Sequence, residues 1–195
     1  MRQTTSHSSG GPEPRFPDWV PCGLRDYLSH TVLSASIRAI SRDRNESAST
    51  TLRRVRRIEA KRDDLLFDIG IEKLGTSLRP RSEGHHMTDG QLIGDAKLMQ
   101  AAPRVLRRLA EQGAVMAVAA DMEKAVIVRE AADGVATRTA VVENSLAQAL
   151  ALKEWIKCDE PGRVSRYRIT QSGRNALGKM LADSENQASG FAEMP

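Results

Sequence analysis

The alternation of polar and apolar positions from residue 48 onward predicts a helix with one narrow buried edge. At about 100° per residue, small and apolar side chains share one side: Ala48, Thr51, Leu52, Val55 and Ile58. The opposite side is polar and strongly basic. No Gly or Pro interrupts residues 48–66, and Ser47 is placed to accept a hydrogen bond from a first-turn N–H. We therefore expect a solvated helix that is anchored along one edge.

A shorter apolar pattern precedes this helix in "SASIRAISRDRNESAST". It predicts a short helix over residues 37–42 and a turn over residues 43–47, where Asn45 can adopt the left-handed conformation more readily than most residues. A short helix, a tight turn and a longer helix with hydroxyl and basic residues in its first turns form the order of a helix-turn-helix. A later apolar run closes this predicted domain, which spans residues 17–75.

The second half, residues 95–182, predicts a domain with both helices and strands. Pro103 suits the first turn of a helix that runs to Gln112, and "AVMAVA" and "KAVIV" are two short apolar strands. "ENSLAQALALKEWI" is an amphipathic helix, and a turn at Pro161, a strand "RVSRYRIT" and a helix over residues 171–181 follow it. This is the order of a winged helix. The fold class is therefore expected to be mainly α with small β (α+β), with an N-terminal helix-turn-helix domain and a C-terminal winged-helix-like domain.

The candidate wing of the second half is basic. Its candidate contacts are Arg163, Arg166 and Arg168. Because side chains alternate along a strand, Arg166 and Arg168 should share one face, while Tyr167 and Ile169 pack inward.

Three segments lack any periodic pattern. Residues 1–16 and 183–195 are expected to be a disordered arm and tail, and residues 76–94, rich in Gly, Ser and Pro, a flexible linker. The pair His85-His86 in that linker has no cysteine or carboxylate cage beside it, so we interpret it as solvated rather than as a metal site.

Charge is concentrated in one stretch of the chain. The net charge is +4, from 29 basic and 25 acidic residues, but residues 37–62 hold nine basic and three acidic residues, a local charge of +6. A basic helix face is often only solvated. Here the basic face belongs to the longer helix of a predicted helix-turn-helix. This favours a polyanionic partner, namely double-stranded promoter DNA. The candidate DNA-binding residues are Ser49, Thr50, Arg53, Arg54, Arg56, Arg57 and Lys61.

Other classes of function lack a signal in the sequence. No Gly-rich phosphate loop, GxSxG motif or metal-ligand cluster occurs, so we expect no enzyme, no metal and no cofactor, and no small-molecule ligand is evident. Cys22 and Cys158 stand far apart without further cysteines, which argues against a disulfide scaffold. No apolar run of membrane-spanning length and no signal-peptide pattern occurs, and the basic helix lacks aromatic anchors for a membrane surface. A cytoplasmic location is the expectation.

Two blocks of the chain together resemble a family. "PDWVPCGLRDYLSHT" through "STTLRRVRRIEAKRDD" is followed by "RVLRRLAEQGAVMAVAADMEKAVIVRE" and "LALKEWIKCDEPGRVSRYRITQSGRNAL". This resembles bacterial helix-turn-helix activators of the gene transfer agent type, which carry a C-terminal domain of unassigned function. The resemblance implies an activator of a phage-like gene cluster that contacts RNA polymerase. The alternative is a protein-interaction adaptor that docks on RNA polymerase or another regulator without reading DNA.

Overall fold

The computed structural model describes residues 16–79, 92–130 and 135–191. Within them the chain is α+β, with seven helices and one five-stranded antiparallel sheet of strand order β3-β2-β1-β5-β4. The helices are α1 (Cys22–Thr31), α2 (Ile37–Asp43), α3 (Ala48–Glu59), α4 (Leu65–Leu78), α5 (Asp95–Leu109), α6 (Asn144–Leu152) and α7 (Gln171–Phe191). The strands are β1 (Ala114–Val118), β2 (Lys124–Glu130), β3 (Ala136–Glu143), β4 (Ile156–Glu160) and β5 (Ser165–Ile169).

The turn that leads into α3 forms as its residues predict. Asn45 has a φ of 52°, in the left-handed region that asparagine tolerates. The Ser47 hydroxyl accepts a hydrogen bond from the Thr50 N–H and caps the first turn of α3. The predicted short helix, turn and longer helix are thus confirmed as local structure.

The sheet carries core side chains on one face. The register places Met116 of β1 between Ile127 of β2 and Tyr167 of β5, and all three are fully buried. Strand β3 was not predicted from the sequence. It is an edge strand whose first three residues are exposed, so its residues show no clear apolar alternation.

Helix α6 differs from its prediction. It ends at Leu152 rather than at Ile156, because Glu154 takes a φ of 57° and Ile156 begins β4. Every residue from Leu146 to Leu152 is buried, so α6 has no solvated face over that length. It packs against α4 on one side and contacts α5 and the sheet.

The two halves of the chain share one hydrophobic core, which runs from Trp19 to Leu177. Gly70 of α4 sits so close to α6 that a Cβ there would lie 2.9 Å from Leu152 Cδ1. The Trp19 indole donates to the carbonyl of Ile93, a residue of the predicted linker, at 3.0 Å. The division into two domains stays a prediction, and these contacts argue against independent folding.

Several predicted boundaries move. Residues 76–78 belong to α4 rather than to the linker, since apolar positions such as Leu74 and Leu78 are buried through the last turn. Helix α5 begins at Asp95 and contains Pro103 in its interior. Helix α7 continues to Phe191, so the tail is wrongly predicted for residues 183–191. The predicted arm up to residue 15, linker residues 80–91 and tail residues 192–195 lie outside the described residues.

Candidate nucleic-acid interface

Helix α3 turns one polar face to solvent. The exposed residues on it are Ser49, Thr50, Arg53, Arg56 and Arg57. The three arginines form no ion pair with any described residue, so their guanidinium groups are available to an external anion.

The buried edge of α3 is narrower than predicted. Thr51, Val55 and Ile58 are buried and pack α3 onto the rest of the chain. Ala48 is exposed and Leu52 is 36% exposed, so the prediction that both belong to the core edge is wrong. Three anchor positions at spacings of four and three residues are enough to hold one side of a helix of this length.

Arg54 points away from the exposed face and into a network of charges. Its guanidinium contacts a carboxylate oxygen of Asp26 in α1 and lies 2.6 Å from Glu46 in the turn. Asp26 is only 1% exposed and also accepts a hydrogen bond from the Arg44 Nε at 2.5 Å. A buried carboxylate is stable only when such donors surround it. Arg54 therefore positions α3 and does not lie on the exposed face where the sequence placed it, while its role as a DNA contact stays a prediction.

The network joins α1, the turn and α3 through Arg54, which pairs with Asp26 and Glu46. The Thr51 hydroxyl donates to the second oxygen of Glu46 at 2.9 Å. The hydrogen bond with Arg54 lowers the pKa of Glu46, and the same bond raises the pKa of Arg54, so both groups stay charged at neutral pH. Ionic contacts with α1 and with the turn therefore fix the orientation of α3, and with it the direction of its exposed arginines.

Lys61 lies beyond the end of α3 and is also engaged. Its ammonium is 2.7 Å from Glu154 and 5.7 Å from the centre of the Phe67 ring. This contact links the basic half of the chain to the sheet half. Of the seven predicted DNA-binding residues, the structure brings five together on one face and places Arg54 and Lys61 in internal contacts.

Helix α2 adds two cations that lie in the basic stretch of the sequence but were not predicted to bind DNA. Arg38 and Arg42 are exposed, and the Arg42 Nε donates to the Arg38 carbonyl at 3.3 Å. Because α2 packs on α3, these side chains extend the basic surface of the helix pair. Their position in the same charged stretch was the signal that could have identified them.

The candidate wing is a hairpin of β4 and β5. Tyr167 points inward and is fully buried, whereas Arg166 and Arg168 share the outer face, so the predicted alternation is confirmed. Their charges are largely matched: Arg166 contacts Glu130 and lies 3.6 Å from Glu160, and Arg168 lies 2.8 Å from Asp159. Arg163, in the loop between the strands, is exposed.

Other kinds of site find little support among residues 16–79, 92–130 and 135–191. No cluster of three or more histidine, cysteine or carboxylate residues in those ranges could hold a metal ion. Nor does any helix there have the length and apolar character needed to cross a membrane. An open cleft of about 550 Å³ lies between the start of α4 and the loop that joins β4 to β5, and its lining mixes both charges, as with Arg62, Asp121 and Arg163. Comparisons with protein-family models, with curated proteins and with solved structures found no match to the chain.

Proposed function

We propose that the protein is a DNA-binding transcription regulator whose helix α3 enters the major groove. The observation that carries this proposal is the exposed face of α3, where Arg53, Arg56 and Arg57 form no ion pair with any described residue while Arg54 turns inward to hold the helix. Helix α2, the turn at Asn45 and α3 then serve as a helix-turn-helix, in which the second helix reads base edges.

The exposed residues suit two kinds of contact. Ser49 and Thr50 lie in the first turn of α3, where hydroxyl groups reach phosphate oxygens. The arginines divide between phosphates and guanine, whose O6 and N7 match the guanidinium fork. Arg38 and Arg42 on α2 add backbone contacts beside them.

The second half supports a different task. Helix α6 comes before the β4–β5 hairpin, and β5 lies between β1 and β4, an arrangement similar to that of a winged helix. In such a domain the helix before the hairpin is the one that reads DNA, but α6 is buried under α4. The matched charges of Arg166 and Arg168 leave the hairpin little net attraction for phosphate. These features favour contact between the second half and another protein. We propose that this partner is RNA polymerase and that the chain activates a phage-like gene cluster.

The burial of α6 and the matched charges of the hairpin also fit a second candidate function. If the second half only docks on another protein, the chain is an adaptor on RNA polymerase or another regulator and does not read DNA. Binding of the purified chain to duplex DNA separates the two functions, because the adaptor shows no sequence preference of its own.

The test is selection of duplexes from a random-sequence library by the purified protein, followed by titration of the selected duplex at several salt concentrations. Arg53→Ala with Arg56→Ala should lower the salt slope by about 1 for each lost phosphate contact. A lost base contact should cost roughly 1–3 kcal/mol at one position of the site.

The matched control is Arg138→Ala with Lys157→Ala, which removes the same charge from two exposed positions on the outer strands. The control should bind the selected duplex as the parent does. If no sequence is enriched, or if both double variants lose the same affinity, α3 is not a reader of DNA and the adaptor function gains support.

A further inference from the structure

Helix α5 presents a second basic surface, on the side of the chain that holds the sheet. Its core side is buried through Leu98, Ala102, Val105, Leu106 and Leu109. The cations lie on the other side, and we define them as the α5 basic face: Lys97, Arg104, Arg107 and Arg108. At about 100° per residue these four fall within roughly 100° of one another around the helix.

Among the described residues, a carboxylate pairs with this face only at its end. Glu111 lies 3.1 Å from Arg108 and 3.7 Å from Arg129 of β2, so one carboxylate serves two guanidinium groups. Asp95, the one acidic residue of α5, accepts a hydrogen bond from the Trp19 N–H at 2.8 Å and is turned to the first half. Lys97, Arg104 and Arg107 have no ion-pair partner among the described residues.

Helix α7 adds to the charge at the same end. Arg174 is exposed, and its Nη1 lies 3.5 Å from the carbonyl of Ala110, the residue that follows α5. The end of α5 is therefore surrounded by arginines from α5, β2 and α7. Among the described residues, Glu111 is the carboxylate that pairs with these arginines, and one carboxylate is too little to neutralise them.

The chemistry of the α5 basic face favours a phosphate backbone over a protein. Protein interfaces take most of their free energy from buried aromatic and apolar anchors at their centre. The α5 basic face has none: Gln100 lies between its cations, and the half-exposed Met99 points about 140° away from Arg104 around the helix. Arginine with no apolar neighbour is the composition that suits phosphate oxygens.

The spacing also fits a duplex. At a rise of about 1.5 Å per residue, Lys97 and Arg108 are separated by roughly 16 Å along the helix. B-DNA carries one charge per roughly 1.7 Å of its axis, so this length matches that of about ten phosphates, counting both strands. Contacts from lysine and arginine to phosphate oxygens hold a protein on the duplex but carry no sequence information.

We infer that the α5 basic face is a second, sequence-independent contact for the phosphate backbone of duplex DNA. It rests on the proposed function, since the polyanion is the DNA that α3 reads. The two surfaces then divide the work: α3 selects the site, and the α5 basic face adds affinity for any duplex.

The test compares two double variants of the full chain on a mixed-sequence 40-base-pair duplex. Arg104→Ala with Arg107→Ala removes two unpaired cations from the α5 basic face, and alanine keeps the helix. Arg138→Ala with Lys157→Ala is the matched control of equal charge. The first pair should lower the slope of log K against log salt by about 2, and the control should leave it unchanged.

Selection of sequence separates this inference from the proposed function. The Arg104→Ala, Arg107→Ala variant should bind selected and mixed-sequence duplexes more weakly by the same factor, so their ratio stays constant. The Arg53→Ala, Arg56→Ala variant should reduce that ratio. An unchanged ratio in the α3 variant overturns the proposed function alone.

Two outcomes overturn the inference about α5. One is an equal salt slope in the α5 variant and the matched control. The other is a loss of poly-glutamate binding with unchanged DNA binding in the α5 variant, which assigns the face to an acidic protein.

Discussion

The Tyr167 hydroxyl lies 2.8 Å from a carboxylate oxygen of Asp64, although the two residues are 103 positions apart in the chain. The same hydroxyl accepts a hydrogen bond from the Leu66 N–H at 3.0 Å, and the same oxygen of Asp64 caps α4 by accepting from the Phe67 N–H. Burial raises the pKa of Tyr167, so the phenol stays neutral and keeps its proton. This contact ties the start of α4 to β5, a strand of the candidate wing.

We expect Tyr167→Phe to destabilise the whole protein. The change removes a donor to Asp64 and leaves the buried Leu66 N–H without its acceptor, which costs about 1–3 kcal/mol. Urea denaturation followed by circular dichroism measures the loss. Tyr27→Phe is the control, because the Tyr27 hydroxyl is joined to Arg62 only by a long contact of 3.4 Å. Equal losses in the two variants would show that the Tyr167 hydroxyl adds no special stability.

We expect the two halves of the chain to unfold together. Trp19 lies in the first half and Trp155 in the second, and these are the two tryptophans of the sequence. Trp19→Phe and Trp155→Phe therefore each leave one fluorescent reporter. Because α4, α6 and the sheet share one core, each variant should give the same urea midpoint by fluorescence as by circular dichroism. Distinct midpoints for the two probes would instead support the two-domain division.

We expect Arg54→Ala and Arg53→Ala to differ in stability despite their adjacent positions. Loss of Arg54 leaves Asp26, which is 1% exposed, with Arg44 as its remaining cation. Removing one member of a fully buried pair costs roughly 3–5 kcal/mol, and we expect about 2 kcal/mol here because Arg54 is partly exposed. Arg53→Ala should stay within about 0.5 kcal/mol of the parent. Thermal denaturation decides the point, and similar values for the two would refute the positioning role of Arg54.

We expect the contribution of Glu46 to stability to vanish in acid. Its pKa in the folded chain is held below the ordinary value of 4.5, chiefly by the hydrogen bond from Arg54. A lowered pKa means that ionised Glu46 stabilises the fold above pH 4.5, and that this effect is lost as the pH falls through the folded value. The parent should therefore exceed Glu46→Gln in Tm at pH 7, and the difference should shrink below pH 4.5. A difference that is constant with pH would mean that the charge of Glu46 contributes nothing.

Predictions from the sequence were most accurate where interactions between neighbouring residues determine the structure. Asn45 in the turn, Ser47 at the start of α3 and the alternation around Tyr167 depend on the conformational preferences and spacing of neighbouring residues. The exposed basic face of α3 followed from the helical period for Arg53, Arg56 and Arg57.

The errors in the predictions come from contacts between distant residues. Arg54 lies beside the exposed arginines by helical period, but Asp26 and Glu46 draw it inward, and no local pattern shows those carboxylates converging on one guanidinium. Leu52 was assigned to the core because it is apolar, yet its side chain is 36% exposed among the described residues. The sequence of α6 predicts an amphipathic helix, but in the structure α4 packs on the side that was expected to face solvent.

The amino-acid sequence by itself determined that α3 exists, where it begins and which of its faces is basic, because caps and periodicity act within a few residues. Tertiary structure decided which arginines remain free, which helix of the second half is hidden and which surface of α5 stays open. Those outcomes depend on the pairing of charges and apolar faces across long separations in the chain, as between Asp26 and Arg54 or Gly70 and Leu152. These pairs form only when the whole chain folds, because every buried charge and every close helix contact must be satisfied in the same structure.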